Sequence, residues 1–353
     1  MRLKHFTELD GVRAIAALMV MVFHFCNNIQ TTSPILILIK KFAFIGQTGV
    51  SLFFVLSGFL ITRILLNSKK SDHFFLNFYI RRALRIFPLY YLFLIIFYFL
   101  LPALDGSEIV PFGQQIYFWV YLQNIAMTFR WDPIGPQHFW SLAVEEHFYF
   151  FWPFLIYYLN TKRIKIAIWM IILIAFVVRV LMVTNHIEVF YFTISRMDEL
   201  AVGALLALWE LKGKLQESES KKFIALFGLI LIPTFILWYF TSGMKIDFIQ
   251  MVKFILLAFC YFCFIGYAIT CKANHWMKKM LQQRFLLYSG KISYGLYVYH
   301  PLCFMIVNKY FKSNSIIIDF LTSFIFCYCI ASLSYYLFES LFLSFKKKFS
   351  YNA

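Results

Sequence analysis

The sequence predicts an all-α polytopic membrane protein, a bundle of about ten transmembrane helices, and three observations carry that prediction. Of its 353 residues, 61% are hydrophobic and only 14% charged, more apolar surface than a soluble domain could hide. Apolar runs of about 18 residues or more recur along the whole length, separated by short polar loops, which is the pattern of a helical bundle and not of a barrel. The formal charge of +16 sits mostly in those loops. Topology therefore explains the charge, and no nucleic-acid partner is expected.

Eleven apolar segments follow in order: 12–29, 44–66, 86–104, 112–129, 138–159, 164–183, 193–211, 223–240, 248–270, 287–308 and 316–343. If all cross with the N-terminus inside, 11 basic loop residues lie inside and 16 outside. If segment 112–129, which carries Gln114, Gln115, Gln123 and Asn124, does not cross, 21 lie inside and six outside. The second arrangement obeys the positive-inside rule, so ten spans with both termini cytoplasmic are expected. The inner face then holds Arg2, Lys4, the run from Lys69 to Arg85, and the clusters at 162–165, 212–222, 272–284 and 346–348. Residues 105–137 become an external or re-entrant stretch, able to roof a cavity only where protein or water covers its backbone. The basic, apolar start resembles a signal peptide, but Arg13 interrupts it and no small-residue cleavage site follows, so it is a retained span. The seven cysteines, Cys260-x-x-Cys263 included, read as packing, and no metal is expected. One domain over 1–345, a short basic cytoplasmic tail at 346–353 and no appended soluble domain complete the expected organisation. No internal repeat is visible, which argues against an inverted-repeat transporter.

The first segment holds an arginine and a histidine eleven residues apart, Arg13 and His24. At about 100° per residue they share one helical face, about 16 Å apart. Ionisable groups at bilayer depth cost about 2.5 to 3.5 kcal/mol each and normally face a bundle interior or wet cavity. The plainer alternative has Arg13 snorkelling to headgroups and His24 bonding a neighbouring carbonyl. In the second segment the small residues Gly49, Ser57 and Gly58 let a neighbouring helix approach. Ahead of the third, Arg82 and Arg85 stand at i and i+3, placed either to grip a polyphosphate with forked guanidinium groups or to anchor on anionic lipid.

In the fifth segment the adjacent carboxylates Glu145 and Glu146 stand in an otherwise apolar span, where each needs a partner or must become neutral. Orienting and charging a histidine is one use for them. Ser141, Glu145 and Tyr149 form one polar stripe, which begins at the external end of its helix, the end toward which His24 also lies. Arg196, Asp198 and Glu199 again place charge at the external end of a span, with self-pairing as the plain alternative. Ser293, Tyr297 and His300 share a face, and His300 reads as a hydrogen-bonded structural histidine before it reads as a second site histidine. Arg179 and Glu339 stand alone in their spans and are assigned no chemistry.

Taken in order, these segments resemble the acyltransferase family 3 of membrane O-acyltransferases. The resemblance runs through Leu9-Asp10-Gly11-Val12-Arg13 with His24, the stretch from Gly49 to Ile61, and Tyr79-Ile80-Arg81-Arg82-Ala83-Leu84-Arg85-Ile86-Phe87-Pro88. It continues through the stretch from Phe139 to Tyr149, then Arg196-Met197-Asp198 and Ser293-Tyr294-Gly295-Leu296-Tyr297. No single motif is decisive, but six in order at these intervals cover nearly the whole chain. The resemblance implies a ten-helix membrane enzyme, and the Phe-, Ile- and Lys-rich composition points to a bacterial source and hence to the cytoplasmic membrane. Such an enzyme moves an acyl group, commonly acetyl, from cytoplasmic acyl-coenzyme A to a hydroxyl of a surface polysaccharide, lipopolysaccharide or exopolysaccharide. It carries the family's arginine and histidine onto Arg13 and His24, its arginine pair onto Arg82 and Arg85, and its acidic motif onto Glu145 and Glu146.

The expected roles follow. Arg13, Arg82 and Arg85 bind the donor; His24, Glu145 and Glu146 are catalytic, one glutamate fixing the tautomer of His24. Asp10, Ser141, Tyr149, Arg196 and Asp198 belong to the acceptor side or the pocket wall. His24 acts either as general base or as an acyl-carrying relay. Acyl-coenzyme A is a substrate, no cofactor is tightly bound, and the other partners are the glycan or lipid-linked sugar and the bilayer. The rival reading is a transporter or flippase of a glycan or acyl intermediate, with the buried charges lining its path.

Overall fold

The computed structural model describes residues 5–241 and 246–349, with side chains for all of these except 237–241. Arg2, Lys4, Lys245 and the tail residues 350–353 lie outside the described residues. Among the described residues all regular structure is helical. The chain begins with α1 (Glu8–Asn27), the short α2 (Pro34–Ala43), α3 (Gly49–Ser68) and α4 (Phe74–Ile95), which continues through a π turn into α5 (Leu101–Asp105). Then come the short α6 (Phe112–Trp119) and α7 (Gln123–Thr128), followed by α8 (Trp140–Tyr158), α9 (Thr161–Thr184) and α10 (Thr193–Leu211). The last third holds α11 (Ser220–Thr241), α12 (Asp247–Thr270), α13 (Trp276–Leu281), α14 (Arg284–Lys291), α15 (Ser293–Tyr310), α16 (Ile316–Ser334) and α17 (Ser340–Phe345).

Six helical runs are long and apolar enough to cross a membrane: Glu8–Asn27, Pro34–Ser68, Phe74–Asp105, Thr161–Thr184, Asp247–Thr270 and Ile316–Phe349. Four further helices, α8, α10, α11 and α15, have 18 to 22 residues. These ten coincide with ten of the apolar segments, with shifted boundaries. The arginine pair lies inside α4, not in a loop before it, and the segment 287–308 is broken at Ile292 between α14 and α15. Segment 112–129 is two short helices, broken where Tyr121 takes a left-handed conformation (φ 59°). Neither half reaches the length of a span. The tyrosines of α4 and the turn after it hold this stretch down, since Tyr90, Tyr91 and Tyr98 donate to the carbonyls of Phe118, Trp119 and Ile134.

The interior is built around α10, where close backbone approach replaces side-chain interdigitation. A Cβ on Gly203 would collide with the Val55 carbonyl of α3, and one on Gly58 with the Leu200 carbonyl of α10. Ion pairs pin the same region: the buried Arg179 of α9 meets the buried Asp198 at 2.8 Å, and Arg63 of α3 meets the half-buried Glu210 at 2.6 Å. Arg179, which stands alone in the sequence, thus has a partner on the next helix. Outward faces carry large exposed apolar side chains, Ile166, Leu173 and Leu181 on α9 and Ile317, Leu321 and Ile325 on α16, a surface suited to lipid.

The loops expected to face the cytoplasm meet one another. Lys69 donates to the Leu159 carbonyl, Arg81 to the carbonyls of Lys346 and Phe349, and Gln282 to Thr7, while Lys278 lies 3.4 Å from Glu8. One end of the bundle therefore gathers the N-terminal turn and most of the basic clusters. The described part of the tail, the turn Lys346–Phe349, is held there by Arg81.

Candidate active site

A cavity of about 100 Å³ opens between α1, α3, α4, α8 and α15. Its wall carries three guanidinium groups, from Arg13, Arg82 and Arg85, facing the single carboxylate of Glu145. Helical register produces this. Arg82 and Arg85 are three residues apart on α4, and Ser141, Glu145 and Tyr149 are successive fourth residues on α8, so each set presents one face. All six of these sequence-predicted residues line the cavity. Asp10 holds Arg13 at 2.6 Å, Ser57 Oγ donates to Glu145 at 2.6 Å, and the Arg82 guanidinium lies 5.1 Å from the centre of the Tyr149 ring. Asp10 thus orients an arginine of the wall. Ser57, read from sequence as a packing residue, instead anchors the cavity's acid.

At the far end of the cavity Ser141 Oγ and the Tyr297 hydroxyl share a short hydrogen bond, and Tyr297 donates onward to the His138 carbonyl at 2.7 Å. Beyond them lie three histidines. His300 Nε2 is 2.9 Å from His24 Nδ1, and the His138 and His300 rings stand 5.4 Å apart, edge to face. His138 and His300 are buried, whereas His24 is half-buried.

The hydrogen bonds assign the tautomers. His300 Nδ1 lies 2.8 Å from the Tyr297 carbonyl and 3.2 Å from that of Leu296, and a carbonyl only accepts, so Nδ1 carries the proton. Neutral His300 then has a lone pair at Nε2, and His24 Nδ1–H donates to it. With its proton on Nδ1, His24 keeps a lone pair at Nε2. One nitrogen of His300 and one of His138, the latter 3.1 Å from the Val298 carbonyl, are engaged by backbone, and among the described residues no group of three or more His, Cys, Asp or Glu side chains is placed to hold a metal ion.

This corrects the expected partner of His24. It is not Glu145, which faces the arginines and Ser57, and Glu146 does not line the cavity, its Oε1 having no hydrogen-bond partner. The partner is His300, the histidine that reads from sequence as structural. His138, just ahead of Ser141 in the same stripe, is the residue the sequence reading passed over, and its signal was its position three residues before that serine. Arg196 and Asp198 lie elsewhere. Arg196 pairs with Glu199 at 2.8 Å, stacks over Phe254 at 4.0 Å and lines a separate small recess with Ser51 and Lys253, while Asp198 meets Arg179.

A family model described as an acyltransferase domain matches residues 6–338. The chain is 28% identical over 336 residues to a protein named O-acetyltransferase OatA of Staphylococcus aureus (strain NCTC 8325 / PS 47). It is 27% identical over 336 residues to a second protein, named as a putative O-acetyltransferase, of S. aureus strain COL. Each alignment covers 89% of this chain and 53% of the relative, so the chain spans about half the length of the curated relatives it matches. No solved structure matches it.

Proposed function

The chain belongs to the acyltransferase family, and from that premise we propose that it is a membrane O-acetyltransferase that carries the acetyl group of cytoplasmic acetyl-coenzyme A to a hydroxyl of a surface glycan across the bilayer. The observation that carries this reading is a cavity whose wall holds three arginines and Tyr297, with the Tyr297 ring 5.8 Å from that of His300, the hydrogen-bond partner of His24. Forked guanidinium groups match phosphate oxygens, and Glu145 balances part of their charge when no donor is bound. Arg13 and the α4 arginines lie toward the end of the bundle that gathers the basic loops; His24 lies about 16 Å further along α1. The coenzyme's phosphates bind at the arginines and its pantetheine arm runs along the cavity toward the histidines.

The lone pair of His24 Nε2 takes the proton of the acceptor hydroxyl as that oxygen attacks the thioester carbonyl. The new carbon–oxygen bond forms and the carbon–sulfur bond breaks. The leaving thiolate recovers the proton from the imidazolium, so the histidine ends as it began. Such a base contributes typically about 10²- to 10⁴-fold. The test incubates purified protein with labelled acetyl-coenzyme A and surface-glycan fractions from source cells lacking the gene. Wild type labels the glycan, His24→Ala inserts in the membrane but transfers at least about 100-fold more slowly, and Arg82→Gln with Arg85→Gln raises the KM for the donor. Full transfer by His24→Ala removes it as base. Movement of glycan without coenzyme A, untouched by loss of the arginines, would establish transport instead.

A further inference from the structure

Past the histidine pair, on the side away from the arginines, lies a second and larger cavity of about 500 Å³ between the end of α1, the second half of α15 and the start of α16. Its wall continues the faces that carry the histidines. Asn28 is four residues beyond His24, and Phe304 and Asn308 are four and eight beyond His300, so they follow the same helical faces about 6 to 12 Å further on. Phe304 already packs edge to face on His300, with ring centres 5.8 Å apart, and on Phe25, also 5.8 Å away. Neither histidine lines the second cavity itself: Phe304 stands between it and His300, and Phe25, the chain neighbour of His24, stands beside Phe304.

The chemistry of the two cavities differs. The first is basic. The second is lined by two aromatic rings, Phe25 and Phe304, with polar groups that include Asn28, Asn308 and Asp319 and one cation, Lys312. The Asp319 carboxylate is held in place, accepting from the Ser313 backbone N–H at 2.7 Å. A polyphosphate would meet that carboxylate with only Lys312 to offset its charge, and an acyl chain would leave the amides without partners at a cost. A pyranose ring satisfies both parts of the wall: one face of C–H groups to cover an aromatic ring, and an edge of hydroxyls that donate to a carboxylate and exchange hydrogen bonds with amides. The volume lies within the range of small-molecule sites, about 300 to 1,000 Å³.

We propose that this second cavity is the acceptor site, holding the pyranose rings of the glycan against Phe25 and Phe304 with Asn308 and Asp319 on the ring hydroxyls, so that one hydroxyl reaches His24. The assignment rests on the acyl-transfer reading above and adds where the acceptor binds and what kind of molecule it is. It requires that the acceptor site be perturbed without disturbing the donor site. Asn308 is exposed, so Asn308→Trp fills the cavity while leaving the fold intact, and Asp319→Asn removes a charge without changing size.

The experiment measures transfer from labelled acetyl-coenzyme A to the surface-glycan fraction by full-length protein in detergent, with coenzyme A binding followed separately by equilibrium dialysis. Asn308→Trp and Asp319→Asn each raise the KM for the glycan about tenfold, which is the scale of one lost hydrogen bond to a charged group, and leave coenzyme A affinity unchanged. An unaltered glycan KM in both variants, beside an active wild type, overturns the acceptor site and leaves the acetyltransferase reading standing; a groove filled by bilayer lipid gives this result. Equal losses for donor and glycan overturn it too. Failure of wild-type protein to bind coenzyme A or to transfer label removes the acyl-transfer reading itself, and the acceptor site with it.

Discussion

In the proposed reaction His300 acts only through the nitrogen it turns toward His24, so its contribution is separable from mere bulk. Its Nδ1 proton is committed to the Tyr297 carbonyl, and this makes its Nε2 an acceptor and fixes the proton of His24 on Nδ1. His300→Gln keeps an amide oxygen able to accept from His24, whereas His300→Phe fills the space and accepts nothing. The glutamine variant should therefore retain most of the transfer rate. The phenylalanine variant should lose about 10- to 100-fold in kcat, a fraction of the base's own contribution, with the donor KM unmoved. Equal rates for the two would reduce His300 to packing. The residues legible in the sequence were those whose neighbours lie on their own helix: Arg82 with Arg85, and Ser141 with Glu145 and Tyr149, all of which reach one cavity. The His24–His300 bond joins positions 276 apart. Periodicity along one helix carries no information on which face of a distant helix will meet it, and so the glutamates, conspicuous for their burial cost, drew the assignment that belongs to His300.

Among the elements, α3 and α10 decide whether the cavity exists, because α3 brings Phe53, Phe54 and Ser57 to its wall while its other face lies backbone to backbone on α10. Gly203→Leu would drive a side chain into the Val55 carbonyl and the Phe59 amide. Overpacking of this kind costs about 1 to 3 kcal/mol. The variant should melt at a lower temperature in detergent and lose donor binding with it. Gly228→Ala, on α11 with nothing within 4 Å of the added carbon, serves as the neutral control. A Gly203→Leu protein as stable as wild type would mean that the two helices separate freely. The small residues of this interface were visible in the sequence, but the break in segment 112–129 was not. The charge balance indicated that the segment does not cross, yet no glycine or proline stands at 120–122 to mark a turn. Tertiary stacking is what accompanies the left-handed turn, with the Tyr121 ring 4.2 Å from that of Tyr90.

Over the whole molecule, the proposed reaction needs donor and acceptor to enter from opposite ends, and two independent features bear on that requirement. Basic residues segregate, 21 against six in the ten-span arrangement, and the loops carrying most of them touch one another in the fold. The arginine-lined cavity lies toward that end, and the aromatic cavity beyond His24 lies toward the other. Sidedness can be measured with one thiol at each end. The buried cysteines are shielded from a membrane-impermeant maleimide, and among the described residues Cys329 alone is exposed, so a Cys329→Ser background is sufficient. Ser218→Cys, in the loop between α10 and α11, should label only after permeabilisation, and Glu108→Cys, in the stretch before α6, should label in intact cells. Labelling of both from outside would reduce the number of crossings between them. The reverse pattern would put the arginines on the outer face, where no coenzyme A reaches them, and the route of the acetyl group would have to be redrawn.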